Sequence, residues 1–133
     1  MQAIMVSEFG GPEVLRARET GVPRPGPDEV LVRVVAAGVG PWDVSLRRGG
    51  WTGSLPYIPG ADRVRWQPYD GQPRGSRLIR MAPWFDDGSL SVTVQARYFL
   101  RDAAEAHRVA ELGHTRGKLV LIADEDLAAA LGV

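Results

Sequence analysis

Glycine and proline interrupt this sequence so often that every apolar run in it is short. The chain has 133 residues, of which 16 are Gly and 10 are Pro. Glycine is unfavourable inside regular elements because of its backbone entropy, and proline lacks the donor that a strand ladder needs. Many short apolar runs separated by turn residues are typical of a β-rich domain. The length suits one domain, and we expect a single domain over residues 1–133.

The apolar pattern predicts mainly strands. They are expected at residues 3–7, 14–20, 29–39, 62–66, 76–82, 90–96 and 118–122. Residues 29–39 give the strongest prediction, because β-branched residues occur on both faces. A strand that is apolar on both faces is expected to be buried on both.

Three helices are expected between and after these strands. Pro41 can open a short helix that runs through Arg48. Asp102 and Glu105 have the spacing of a capping box, ahead of an alanine-lined helix that ends at Gly113. A third, tail helix follows Asp124, which is expected to cap it.

Three blocks of sequence, taken in order, resemble one enzyme family. Residues 9–15 read Phe-Gly-Gly-Pro-Glu-Val-Leu and residues 36–43 read Ala-Ala-Gly-Val-Gly-Pro-Trp-Asp. The second of these blocks continues with Leu-Pro-Tyr-Ile-Pro-Gly-Ala-Asp at residues 55–62, and the third block includes Gly-His-Thr-Arg-Gly-Lys-Leu-Val-Leu at residues 113–121. The set resembles the zinc-free, quinone-oxidoreductase-like branch of the medium-chain dehydrogenase/reductase superfamily. This resemblance implies a mostly β (α+β) fold: a GroES-like distorted β-barrel with a C-terminal helix and strand.

In that family a Rossmann domain separates the second block from the third, whereas here residues 63–98 join them. The resemblance thus implies a barrel part at 1–62, this joining segment, a helix and strand at 99–122, and a tail helix at 123–133. The glycines of the joining segment fit no G-x-G-x-x-G spacing. That turn presents backbone amides to a pyrophosphate, so we expect no Rossmann domain and no NAD(P)H cofactor.

The resemblance also bears on metal and redox chemistry. The chain has no Cys and only two His, so a zinc site is not expected, and neither is a disulfide or a cysteine nucleophile. Gly40 and Ser45 stand where the zinc-free branch often carries Asn and Tyr. The resemblance therefore does not carry over quinone-reductase chemistry at these two positions.

In the parent family the cleft of this domain faces the nicotinamide, and its candidate residues here are Asp43 and a set of aromatics. Asp43 is expected to act as hydrogen-bond acceptor or general base, or else only to offset the dipole of the helix begun by Pro41. The aromatics are expected to bind an apolar substrate, or else to fill packing space. They are Trp42, Trp51, Tyr57, Trp66, Tyr69 and Trp84. His107 is expected to be a packed, hydrogen-bonded histidine.

These inferences lead to a cofactor-independent protein that binds an apolar small molecule. The favoured hypothesis is a non-redox cyclisation, cycloaddition or isomerisation of a polyketide-like secondary metabolite, driven by shape and desolvation. The alternatives are a non-catalytic dimeric interaction module and a truncated quinone oxidoreductase-like protein. A homodimer is expected because the face that meets the Rossmann domain in the family needs cover.

Charge and hydropathy limit the other partners. Lys and Arg number 16, as do Asp and Glu, so nothing favours nucleic acid. No apolar stretch approaches the roughly 18 residues that a membrane span needs. We therefore expect neither a nucleic-acid nor a membrane partner, and a cytoplasmic location.

Overall fold

The first two strands form a hairpin-like pair at the N-terminus. The computed structural model describes residues 1–50, 54–59 and 75–132. In it, β1 (Gln2–Val6) pairs antiparallel with β2 (Leu15–Glu19), with Val6 opposite Leu15. Val6 also exchanges two backbone hydrogen bonds of 2.9 Å with Tyr57. The strands predicted at residues 3–7 and 14–20 are confirmed, with small differences in their ends.

A second sheet has three strands in the order β3–β5–β4. β3 (Ala36–Val39) is antiparallel to the central strand β5 (Lys118–Ile122), and β4 (Val94–Phe99) is parallel to it. Neighbouring parallel strands need a crossover connection, and α3 (Ala103–Glu111) supplies it. The chain from Val94 to Ile122 is therefore a βαβ unit. The strand predicted at residues 118–122 is confirmed.

The other helices are α1 (Pro41–Arg47), α2 (Gly75–Asp86) and α4 (Glu125–Leu131). The predictions for α1 and α4 are confirmed, and so is that of the alanine-lined helix α3. Asp124 caps α4 as expected, because its Oδ1 accepts a hydrogen bond of 3.0 Å from the backbone N–H of Leu127. Gly113, with a φ of 71°, ends α3 in the left-handed conformation that glycine adopts freely. No helix of the described residues is long and apolar enough to cross a membrane.

The core lies where both sheets meet α3. Ala103 and Ala106 of α3 are buried, and their small side chains let the helix approach the strands closely. The buried cluster joins residues from both ends of the chain: Ile4, Val6, Val14, Leu15, Val39, Ala103, Ala106, Leu119 and Leu121.

The strand predicted at residues 29–39, buried on both faces, is wrong over most of its length. Only Ala36–Val39 is strand, and Val30 before it is 84% exposed. The reason is that the partner strand, β5, ends at Ile122. Ala36 lies opposite Ile122, where β5 ends, and the chain then turns into α4. Val35 still accepts backbone bonds from Ala123 and Asp124, but the residues before it have no continuation of β5 to pair with.

Two further predictions differ from the structure in the middle of the chain. Residues 76–82, predicted as a strand, lie within α2. Leu78, Met81 and Phe85 follow a helical spacing, and Arg, Leu, Met and Ala favour helices. The strand predicted at residues 90–96 begins only at Val94 and continues to Phe99, because Leu90 closes the end of α2 through a backbone bond to Trp84. The strand predicted at 62–66 lies outside the described residues.

The capping box predicted from Asp102 and Glu105 does not form. The Asp102 side chain makes no capping hydrogen bond, and Glu105 pairs with Arg108 at 2.8 Å. A 3₁₀ turn over Leu100–Asp102 leads directly into the helix, so Asp102 lacks the extended backbone of a capping residue.

The described residues are α+β, with more residues in helices than in strands. For these residues the expectation of mostly β structure is therefore wrong, and its α+β part is confirmed. The strands of these residues form two small sheets without a closed barrel.

Candidate functional site

A buried arginine connects the two ends of the chain. Arg47, in the last turn of α1, is 0% exposed. Its Nη1 donates to the backbone carbonyl of Gly10 and its Nη2 to the Glu111 carboxylate on α3. A buried cation is tolerated only when it is paired and hydrogen-bonded, and here both conditions are met. Arg47 thus binds the turn after β1 to the crossover helix.

His107 lies beside this guanidinium. The Nε of Arg47 donates to Nδ1 of His107 over 3.4 Å, and His107 is 3% exposed. Burial, chiefly, and the Arg47 charge lower the pKa of His107 to about 4. The imidazole is therefore neutral near pH 7, with an unprotonated Nδ1. The prediction of a packed, hydrogen-bonded histidine is confirmed.

Asp43 and Tyr57, two of the predicted site residues, lie near each other at the edge of this cluster. Burial raises the pKa of Tyr57; the positive charge of Arg47 opposes this rise and the Asp43 carboxylate adds to it. Asp43 also acts on the His107 pKa, which it raises. Asp43, Arg47, Tyr57 and His107 therefore form one electrostatic group, which we call the Arg47 cluster, together with Glu111.

The Asp43 carboxylate already has a local role. Its Oδ2 accepts a hydrogen bond of 2.8 Å from the backbone N–H of Gly40, the residue before α1. An acidic side chain in the first turn of a helix also interacts favourably with the helix dipole. This geometry agrees with the alternative of a structural helix-end charge, while the general-base role stays a prediction.

The predicted aromatic residues divide into three groups. Trp42 is 71% exposed on α1 and Trp84 is 52% exposed on α2, so neither fills the interior. Tyr57 is half-buried. The others, Trp51, Trp66 and Tyr69, lie outside the described residues. Trp42 therefore offers an open indole on α1, the helix that also carries Asp43 and Arg47.

Sequence reasoning did not identify Arg47 or Glu111. Arg47 and Arg48 are identical neighbours, yet one is buried and the other is exposed and reaches Glu111 over 3.1 Å. A weak signal exists, because Arg47 follows Val44 by three residues and so shares its side of α1. That spacing alone does not distinguish a buried cation from a solvated one.

Among known proteins, the chain is similar to dehydrogenases and quinone oxidoreductases. The profile described as zinc-binding dehydrogenase matches residues 29–121. The quinone oxidoreductase of Lama guanicoe is 49% identical over 65 residues, which is 47% of this chain and 20% of that protein. Human quinone oxidoreductase is 46% identical over the same length and coverage. An alcohol dehydrogenase of Rhizobium meliloti is 41% identical over 66 residues, 48% of this chain and 19% of that protein.

Among solved structures, a mycobacterial quinone oxidoreductase has 41% sequence identity and a TM-score of 0.42. The match covers 44% of this chain and 18% of that one. The chain thus spans about a fifth of the length of the curated relatives it matches.

Proposed function

This chain belongs to the zinc-binding dehydrogenase family, within the medium-chain dehydrogenase/reductase superfamily, and on that basis we propose that it is a quinone-binding domain of the quinone-oxidoreductase type. It binds a planar, apolar acceptor beside α1, and the redox chemistry depends on a nucleotide held elsewhere. The observation that carries the proposal is the 49% identity to a quinone oxidoreductase over nearly half of the chain.

The surface beside α1 supports this proposal chemically. An exposed indole such as Trp42 provides a flat apolar face on which a quinone ring can stack. The next residue of α1, Asp43, is polar and is held in place by its bond from the Gly40 amide, whereas the buried Arg47 guanidinium is out of reach of a ligand at this surface.

Zinc, after which the family is described, does not fit the residues present. Zinc sites in proteins use Cys, His and carboxylate ligands in groups of three or four. The sequence has no Cys, and within the described ranges no group of three such side chains is placed to hold a metal. Nδ1 of His107 already accepts a bond from a cation. We derive no step through zinc.

A nicotinamide nucleotide does not fit the turn from β3 to α1 either. Gly40 forms this turn, but its amide already donates to the Asp43 carboxylate. A pyrophosphate at this helix end would have to displace that carboxylate and would be repelled by it. No step of the proposal is therefore assigned to a nucleotide bound at this turn.

Three expectations from the sequence concern the reaction, the GroES-like arrangement and the homodimer. The non-redox cyclisation or isomerisation has no support from the relatives, which are named as oxidoreductases and a dehydrogenase. A GroES-like arrangement remains part of our proposal, and the bridge from Val6 to Tyr57, which extends the first sheet by one segment, supports it. The homodimer stays a prediction.

The proposal can be tested with the purified chain, phenanthrenequinone and NADPH. We expect saturable quenching of tryptophan fluorescence by the quinone at micromolar concentration. Calorimetry should show no NADPH binding below about millimolar concentration, since no pyrophosphate turn is found in the sequence. Since the chain has no Cys, a quinone cannot form a thiol adduct that would imitate binding.

Trp42→Ala and Leu112→Ala make a matched pair, because both remove a largely exposed apolar side chain. Loss of the indole platform should weaken quinone binding by roughly tenfold, in line with about 1–2 kcal/mol of lost contact. Leu112→Ala should leave it unchanged. Absence of saturable quenching, or an equal effect of both variants, would refute the quinone site. Micromolar NADPH binding would show that the chain holds its own nucleotide.

A further inference from the structure

A concave site lies between α4 and β4, the edge strand of the second sheet. It has a volume of about 290 Å³. This is near the lower end of the range in which small-molecule sites are found. Its lining includes Arg97, Phe99, Ile122, Glu125, Ala128 and Ala129. None of these residues belongs to the Arg47 cluster, and none is used by the proposed function.

The floor and one wall of this cleft are apolar. Phe99 and Ile122 lie side by side at the carboxyl ends of the parallel strands β4 and β5. Ala128 and Ala129 of α4 face them, and their small side chains leave the space open. An aromatic ring placed here would contact Phe99 and Ile122 and remove apolar surface from water.

The charged side chains at the rim differ in whether they form ion pairs. Glu125 is engaged by Arg101, whose Nη1 lies 3.0 Å from Oε1 of Glu125. Arg101 also stacks on the Phe99 ring, with its Cζ 4.2 Å from the ring centre. Arg97, in contrast, is exposed and forms no ion pair with any residue that the structure describes. The rim therefore keeps one guanidinium available for an anion.

We propose that this cleft binds a small aromatic carboxylate, with its ring against Phe99 and Ile122 and its carboxylate paired with Arg97. A guanidinium presents two parallel N–H donors that match the two oxygens of a carboxylate. The volume suits a mono- or bicyclic ring. The Glu125 carboxylate would by itself repel a negatively charged ligand. Its ion pair with Arg101 offsets this repulsion, so the cleft can prefer an anion.

The direct test is a titration of the isotope-labelled chain with 2-naphthoate, followed by two-dimensional NMR of the backbone amides. Saturable shifts are expected at Phe99, Ile122, Ala128 and Ala129. Methyl 2-naphthoate has the same ring without the charge and should bind roughly tenfold more weakly. Absence of saturable shifts up to millimolar 2-naphthoate, or shifts confined to another surface, would overturn the proposal.

Two matched pairs of variants separate the charge from the cavity. Arg97→Gln should weaken 2-naphthoate binding by roughly tenfold, while Arg16→Gln, the same change on the exposed face of β2, should not. Ala129→Leu should block the cleft, while Ala130→Leu on the same helix should not. All four positions are exposed, so the variants should fold. Equal effects within either pair would refute the site, whatever the outcome with quinone.

Discussion

His107 is a neutral imidazole held beside a buried cation, and this makes the folded state sensitive to acid. Its pKa is lowered from 6.5 to about 4, first by burial and then by the Arg47 charge. The unfolded chain takes up this proton below about pH 6.5, whereas the folded chain resists it until about pH 4. The free energy of unfolding should therefore fall as the pH is lowered through this window, by roughly 3 kcal/mol in total.

Urea unfolding between about pH 7 and about pH 4.5 measures this dependence. His107→Gln removes the titrating group and should flatten the curve. The control is His114→Asn, because His114 is exposed and its φ of 67° is a conformation that Asn tolerates. If His107→Gln keeps the full pH dependence, or if His114→Asn removes it, the buried imidazole is not its source.

At this scale the sequence identified some residues and not others. The packed state of His107 could be predicted, because His107 lies beside the alanine-lined face of its helix. The burial of Arg47 could not, since its position depends on where Gly10 and Glu111 arrive in space, 37 and 64 residues away in sequence. The exposure of Trp42 could not be predicted either, because its apolar surface suits the interior as well as a ligand.

At the scale of elements, α4 depends on a cap and α3 does not. Asp124 accepts a bond from Leu127, whereas Asp102, at the equivalent position of α3, makes no such bond. Asp124→Ala should therefore lower the free energy of unfolding by about 1 kcal/mol, with some further loss from its exposed pair with Arg33. Asp102→Ala should lower it by less than about half of that amount. Thermal or urea unfolding of both variants checks this, and similar losses would contradict it.

The elements show what local sequence can determine. Local turn residues and caps allow the prediction of β1, β2, β5, α1, α3 and α4. The segment before Ala36 was not, because strand formation there depends on where β5 ends. The sequence predicts a strand in place of α2, because a short apolar run fits the two-residue period of a strand as well as the period of a helix. The full length of α2, 12 residues, is what distinguishes the two.

For the molecule as a whole, the Arg47 cluster and the core join the N-terminal and C-terminal parts. None of the α2 side chains that the structure describes belongs to either. The core cluster includes Ile4 and Val6 from β1 as well as Leu119 and Leu121 from β5. Of α2, the side chains that the structure describes are exposed or at most half-buried. Elements that share one core open together, whereas an element with little buried surface opens by itself. We therefore expect two levels of stability in one chain.

Native-state hydrogen exchange can resolve these two levels. The amides of β1 and β5 should exchange with the same, highest free energy, and those of α2 with a clearly lower one. Arg47→Met should lower the free energy for β1 and β5 together by about 3 kcal/mol, because it leaves Glu111 and the Gly10 carbonyl without their buried donor. Arg48→Met is the control, since this exposed side chain pairs with the same Glu111 and should contribute less than about 1 kcal/mol. Separate losses in β1 and β5, or a loss in α2 equal to theirs, would contradict a single core held by Arg47.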